Sequence, residues 1–262
     1  MQPLVAFPAL VSSLILLFYG HTLAGSVIPF EYRDGLIWVK VSADPNAAPL
    51  NFVLDSGAGA SVLNLQTARR LGVKLGRQEK VRRVGAGSAA WRASGFHANV
   101  AGVPVSESPL ALDLSETSEA CSRPIDGLLG EDFFRGRIVE INFKARCIRL
   151  LDKTDYSQCC ADMPLKLQDA AMCVQLSVDG SAPKWTRLDT GCDDSLHWVA
   201  DTGGGYTRTS LQLGKERITN VRTTLHRSPI FPSEAGLLGN EVLSNYRVTF
   251  DGINRRLLLA RE

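Results

Sequence analysis

A mostly β, two-lobed architecture is predicted by three features: short alternating apolar runs separated by Gly, Asn and Pro, a polypeptide that repeats itself once, and a composition suited to a buried core. Of the 262 residues, 45% are hydrophobic, 21% charged and 7% aromatic, a balance that supports a core and excludes intrinsic disorder. The 29 basic and 27 acidic side chains leave a net charge of +2, too even for a nucleic-acid surface or a polybasic membrane arm. The 23 Gly and 12 Pro are dispersed along the chain, which excludes collagen-like and low-complexity classes.

The first segment reads as an address. Residues 1–24 contain no Lys, Arg, Asp or Glu, and Val11 to Tyr19 is apolar apart from Ser12 and Ser13. The segment ends in Thr22-Leu23-Ala24 before Gly25, with small residues where a signal peptidase needs them. A cleaved secretory signal over 1–24 is expected, hence a secreted or periplasmic protein with no stable membrane association. The alternative is an uncleaved anchor, since the apolar stretch from Leu4 is nearly long enough to cross a bilayer. Export frames the six cysteines, Cys121, Cys147, Cys159, Cys160, Cys173 and Cys192, as candidates for disulfides. Neither they nor the four histidines show metal-ligand spacing, so no metal site is expected.

The remainder is written twice. Val39 to Asp44, Ala48-Pro49 and Leu54-Asp55-Ser56-Gly57 reappear as Val174 to Asp179, Ala182-Pro183 and Leu188-Asp189-Thr190-Gly191. Gly127 through Leu151 aligns without a gap on Gly236 through Ala260, with 7 identities in 25 positions. Lobes over 25–155 and 156–262 are expected, with strands at Leu36 to Val41, Asn51 to Leu54, Trp185 to Leu188, Ile138 to Phe143, Ser210 to Leu213, Ile218 to Leu225 and Tyr246 to Phe250. Asn142 to Arg146 and Asp251-Gly252 occupy matching hairpin turns. The second lobe is shortened between its Asp-Thr-Gly and its Leu-Leu-Gly. It lacks a helix over Leu65 to Leu71, capped by Asn64 and stopped by Gly72, and the glycine turn around Gly85 and Gly87.

One Asp-[Ser/Thr]-Gly arises by chance in about one chain in ten of this length; two copies at the same place in both repeats are specific. Each follows an apolar strand and precedes a Leu-Leu-Gly triplet, Leu128-Leu129-Gly130 or Leu237-Leu238-Gly239. This arrangement resembles the aspartic peptidases of the pepsin and retropepsin superfamily over nearly the whole chain after residue 24. The resemblance implies two homologous β-barrel lobes with an active-site cleft between them. Asp55 and Asp189 would form the catalytic dyad, Ser56 and Thr190 would bond across a pseudo-twofold axis, and Gly57 and Gly191 would let each backbone approach the facing carboxylate. It further implies a flap at Gly85 and Gly87, a polypeptide substrate, hydrolysis without metal or cofactor, and a monomer. Carboxyl groups held about 3 Å apart share one proton, so one acts as base and the other as acid on a single water.

Ala58 and Cys192 stand after the two tripeptides where pepsins have Ser or Thr, so a hydrogen bond to a catalytic carboxylate is expected to be missing and the pH optimum to lie nearer neutral than a pepsin's. Trp91 is a candidate substitute for the flap tyrosine. Asp201-Thr202-Gly203, a third tripeptide without a repeat partner, reads as a surface turn, and Asp193-Asp194 as solvated acids without a role. Two rivals to the endopeptidase are an inactive peptide-binding or inhibitory protein on the same scaffold, and a first lobe that pairs with another chain.

Overall fold

The computed structural model describes residues 25–44, 46–83, 86–201 and 203–261. The expected leader over 1–24, and with it the alternative anchor, lies outside the described residues, as do Gly85 and Thr202. Among the described residues no helix is long and apolar enough to cross a membrane.

In the first lobe β1 (Val27–Pro29), β2 (Glu31–Arg33), β3 (Leu36–Val41), β4 (Leu50–Leu54) and β5 (Val62–Asn64) lead into α1 (Leu65–Arg70). The long strands β6 (Lys74–Arg83) and β7 (Ala86–Ser94) follow, then β8 (Asn99–Val100), β9 (Val103–Pro104), β10 (Leu110–Leu112) and α2 (Ser115–Ala120). β11 (Gly127–Leu129), α3 (Glu131–Phe134), β12 (Ile138–Asn142) and β13 (Cys147–Leu151) complete it. The second lobe runs β14 (Ala161–Pro164), β15 (Lys166–Gln168), β16 (Ala171–Val178), β17 (Lys184–Leu188), β18 (Leu196–Val199), β19 (Tyr206–Leu213), β20 (Glu216–His226), β21 (Gly236–Leu238), α4 (Asn240–Leu243), β22 (Tyr246–Asp251) and β23 (Arg256–Arg261).

The repeat is visible in the strand order. The first lobe has an eight-stranded sheet, β2-β3-β4-β11-β5-β10-β7-β6, and the second a seven-stranded sheet, β15-β16-β17-β21-β18-β20-β19. The second sheet closes on itself because β16 also pairs with β19, Ser177 facing Gln212. In the first lobe the equivalent closure is one bridge, Ser42 to Asn99. Leu110 lies opposite Val62 and Thr223 opposite Leu196, so β20 takes the place of β10. Among the described residues the second lobe lacks α1, α2 and a counterpart of the edge strand β6. The helix content exceeds the single one expected: α2, α3 and α4 are also present, the last two being single turns too short to leave a periodic pattern.

Between the lobes lies a six-stranded sheet that belongs to both, β1-β13-β12-β22-β23-β14. β12 pairs antiparallel with β22, Ile138 facing Asp251, Glu140 facing Thr249 and Asn142 facing Arg247. The gapless alignment makes Glu140 and Thr249 equivalent, so each residue meets its own counterpart and the pseudo-twofold axis passes through that pair. Phe134 and Phe250, both fully buried, bring their rings to 4.9 Å across this junction. A buried side chain of that size is worth about 1.5–3 kcal/mol.

The expected disulfides are not formed. All six cysteines are free: Cys147 and Cys173 are buried within strands of different sheets, while Cys121, Cys159, Cys160 and Cys192 sit in connections.

Candidate active site

Asp55 leaves the end of β4 and Asp189 the end of β17, each strand lying parallel to a Leu-Leu-Gly strand. The Asp55 N–H donates to the Leu129 carbonyl at 2.9 Å, and the Asp189 N–H to that of Leu238 at 2.9 Å. Both loops are thus hung from the triplets at the same register, which brings them face to face at the lobe junction.

Ser56 and Thr190 lock them together, both with no exposed surface. The Ser56 N–H donates to Thr190 Oγ1 at 2.9 Å, and Thr190 Oγ1 donates to the Leu54 carbonyl at 2.8 Å. Reciprocally, the Thr190 N–H donates to Ser56 Oγ at 3.1 Å, and Ser56 Oγ to the Leu188 carbonyl at 3.0 Å. All four bonds cross between lobes. Losing either hydroxyl would leave a buried backbone donor unpaired, at a cost of about 1–3 kcal/mol.

The glycines are needed for approach rather than for an unusual torsion. A Cβ on Gly57 would lie 2.5 Å from Asp189 Cγ, and one on Gly191 would lie 2.5 Å from Asp55 Cγ. Each carboxyl therefore rests against the bare backbone of the opposite loop. Asp55 Oδ1 accepts the Ala58 N–H at 2.9 Å, and Asp189 Oδ1 the Gly191 N–H at 2.9 Å. The two side chains are also within hydrogen-bonding reach of one another. Burial pushes both carboxyls up; Asp189 goes well above the ordinary range, where the Asp55 charge adds to the effect. Backbone N–H donors and the Arg187 guanidinium pull the other way.

A cleft of about 740 Å³ opens over the pair, and Asp55, Gly57, Asp189 and Gly191 form part of its floor. Its first-lobe wall is apolar, whereas the second lobe contributes Asp169, Ala170, Arg187, Phe231 and Pro232. The turn between β15 and β16 reaches across, so that a Cβ on Gly59 would lie 3.0 Å from Ala170 Cβ; by symmetry, one on Gly35 would lie 2.5 Å from Asp193 Cβ.

Gly87 lies in β7 opposite Arg82 of β6, near the end of a hairpin whose Val81 lines the cleft; Gly85 is outside the described residues. Trp91 is half-buried against the first-lobe core and is not part of the cleft lining. Burial, reinforced by the Asp189 charge, pushes the Cys192 thiol up to about 12, so it is no nucleophile. Asp201 is exposed in a turn after β18.

Three features escaped the sequence. Asp194 is not a free solvated acid, since it accepts from the Ser195 N–H at 2.9 Å and from Thr224 Oγ1 at 3.1 Å. His197 Nδ1 and His226 Nε2 lie 2.9 Å apart, because parallel pairing of β18 with β20 aligns residues distant along the chain; among the described residues no three His, Cys, Asp or Glu side chains are grouped to hold a metal. Arg187 was overlooked although it stands two places before Asp189. Its Nε and Nη2 donate to Glu234 at 2.8 and 2.6 Å, its Nη1 to the Gly57 carbonyl at 2.7 Å, and its guanidinium lies 3.4 Å from the Phe231 ring centroid. The one available signal was a charge inside an apolar strand, where the first repeat has Val53.

Residues 39–133 match the aspartyl protease family. The structure is similar to the crystal structure of an aspartic proteinase from Irpex lacteus, with a TM-score of 0.59 over 91% of this chain and 97% of that one. The chain has the fold of the aspartic peptidase superfamily. Sequence identity to that fungal aspartic proteinase is 11%, so the likeness is one of fold. No curated protein matches the chain. Family match and aspartic peptidase fold together support a peptidase-type function.

Proposed function

We propose that this chain is an aspartic endopeptidase in which Asp55 and Asp189 activate one water between them. The observation that carries the reading is the reciprocal arrangement of the two loops, with each carboxyl against the opposite glycine and four hydrogen bonds exchanged between Ser56 and Thr190 and the strands behind them. The pair holds a single proton. The ionised carboxylate removes a proton from water as oxygen attacks the scissile carbonyl, and the protonated partner donates to the developing oxyanion. Return of protons to the amine breaks the C–N bond without a covalent acyl-enzyme. An extended polypeptide would lie along the cleft, between the β6–β7 hairpin and the dyad, making strand-like backbone bonds.

Cleavage of a quenched fluorescent peptide library tests this. Asp55→Asn and Asp189→Asn are each expected to lower kcat at least 1000-fold with KM little changed, because each removes half of one acid–base unit. Retained activity in either variant would refute the intrachain dyad. Since Asp189 is raised well above the usual range, the singly protonated pair persists to higher pH than for free carboxyls. Activity should fall on the alkaline side as that proton leaves and on the acid side as the second carboxyl protonates; a profile peaking below about pH 3 would contradict the assignment. Peptide binding without cleavage across this range would favour the inactive binding protein. We further infer export with cleavage after Ala24, for which N-terminal sequencing of the mature protein should return Gly25 first.

A further inference from the structure

The pseudo-twofold axis relates two places beside the dyad, and the sequence has made them opposite in character. On the first-lobe side Leu36, Val53, Val62, Leu112, Ile125 and Leu128 surround one apolar recess of the cleft. Val53 faces Leu128 and Arg187 faces Leu237, which makes Val53 and Arg187 equivalent. The Asp126 N–H donates to Asn51 and the Ala235 N–H to Trp185, each at 2.8 Å, which makes the preceding residues, Ile125 and Glu234, equivalent. Where the first lobe has a valine and an isoleucine that both line the cleft, the second has a guanidinium and a carboxylate bonded to each other, of which only the larger guanidinium lines it. Phe231, which lines the cleft, lays its ring against the Arg187 guanidinium, and the Gly57 carbonyl accepts another of the Arg187 protons. Leu36 is likewise replaced by Ala171, because Leu36 faces Arg33 and Ala171 faces Gln168 across equivalent turns.

We propose that Arg187, Glu234 and Phe231 fill the second-lobe counterpart of the apolar recess and make this a one-sided enzyme: it takes a large apolar side chain on one side of the scissile bond and only a small one on the other. This deepens the endopeptidase reading and rests on it for the word scissile; the asymmetry of the cleft itself does not depend on turnover. A bulky apolar side chain cannot displace the ion pair, because separating it would strand a buried charge. The pair thus acts as a specificity element by exclusion.

Equilibrium binding of three hexapeptides with a reduced, uncleavable central bond tests the proposal: one with Phe before the bond and Ala after it, one reversed, and one with Phe on both sides. One of the first two should bind about 10-fold or more tighter than the other, the factor expected for burying one large apolar group. The double-Phe peptide should bind no better than the favoured single one. Equal binding of the single-Phe peptides, or a further 10-fold gain from the second Phe, would overturn the proposal, as would failure of all three to bind. The variant R187V/E234I installs the first-lobe residues and leaves no lone charge; it should admit the second Phe and raise double-Phe affinity about 10-fold. Should that variant fail to fold, Ile125→Phe, which narrows the open recess, should erase the preference between the single-Phe peptides, and persistence of the preference would count against the assignment. One-sided binding combined with no cleavage of the ordinary amide peptides would sink the peptidase reading alone.

Discussion

In the proposed dyad, Asp189 combines a requirement of chemistry with a cost in stability. Its carboxyl is raised by burial and by the Asp55 charge beside it, so the folded state holds a proton that the unfolded chain releases at lower pH. A raised carboxyl contributes stability that is fully present below the unfolded pKa and is lost as pH rises through the folded pKa. At neutral pH the native protein therefore carries an electrostatic penalty that Asn would not. Asp189→Asn is expected to raise Tm at pH 7 while abolishing cleavage, with the difference shrinking near pH 3, below the ordinary carboxylate range. Thermal unfolding at the two pH values reads this directly, and a variant less stable than the parent at pH 7 would show that the pair is not strained by repulsion. Asp189 could be singled out as a candidate because its tripeptide repeats. Its buried neighbour Arg187 could not, because nothing in a linear sequence says that a cation inside a strand will meet Glu234 and the Gly57 carbonyl.

At the level of elements, the two halves differ chiefly in what stands between the Asp-[Ser/Thr]-Gly loop and the Leu-Leu-Gly strand. The first lobe inserts α1, whose N-cap Asn64 accepts the Gln66 N–H at 3.1 Å and donates through Nδ2 to the Ile125 carbonyl at 2.8 Å. The cap thereby ties the helix to the chain just before β11, at Ile125, which is itself part of the wall of the apolar recess. Asn64→Ala should cost about 2 kcal/mol, since it removes both a helix cap and the partner of a buried carbonyl; urea denaturation should show a lower midpoint with an unchanged m value. A loss below about 0.5 kcal/mol would mean that α1 is held by packing alone. This helix could be read from its cap, its apolar positions and Gly72. α3 and α4 could not: four residues make barely one turn and cannot repeat a period, and both are set by the turn out of the Leu-Leu-Gly strand, where the Glu131 and Asn240 N–H groups donate to Ala58 and Cys192.

Across the whole molecule, the shared sheet turns two barrels into one cooperative unit. β12 and β22 are the strands adjoining the axis, and Phe250 packs from the second lobe against Phe134 of the first. Phe250→Ala should therefore destabilise both lobes together, by about 3–5 kcal/mol for a fully buried aromatic. Tryptophan fluorescence and far-ultraviolet circular dichroism should shift by the same amount in a denaturant titration. Two separated transitions would show that the lobes unfold independently.

The duplication was written in the chain and could be read there, because strand alternation, turn residues and a doubled tripeptide are local patterns repeated in the same order. From it followed the mostly β class, the two lobes, and the selection of Asp55 and Asp189 as the candidate dyad. Tertiary structure alone decided the rest: that the cysteines stay unpaired, that Trp91 turns to the core, that His197 meets His226, and that one of two symmetric recesses is closed by an ion pair. These depend on which residues from distant segments come to lie within a few ångströms of one another. Parallel pairing and a twofold axis set those distances, and a one-dimensional pattern carries no record of them.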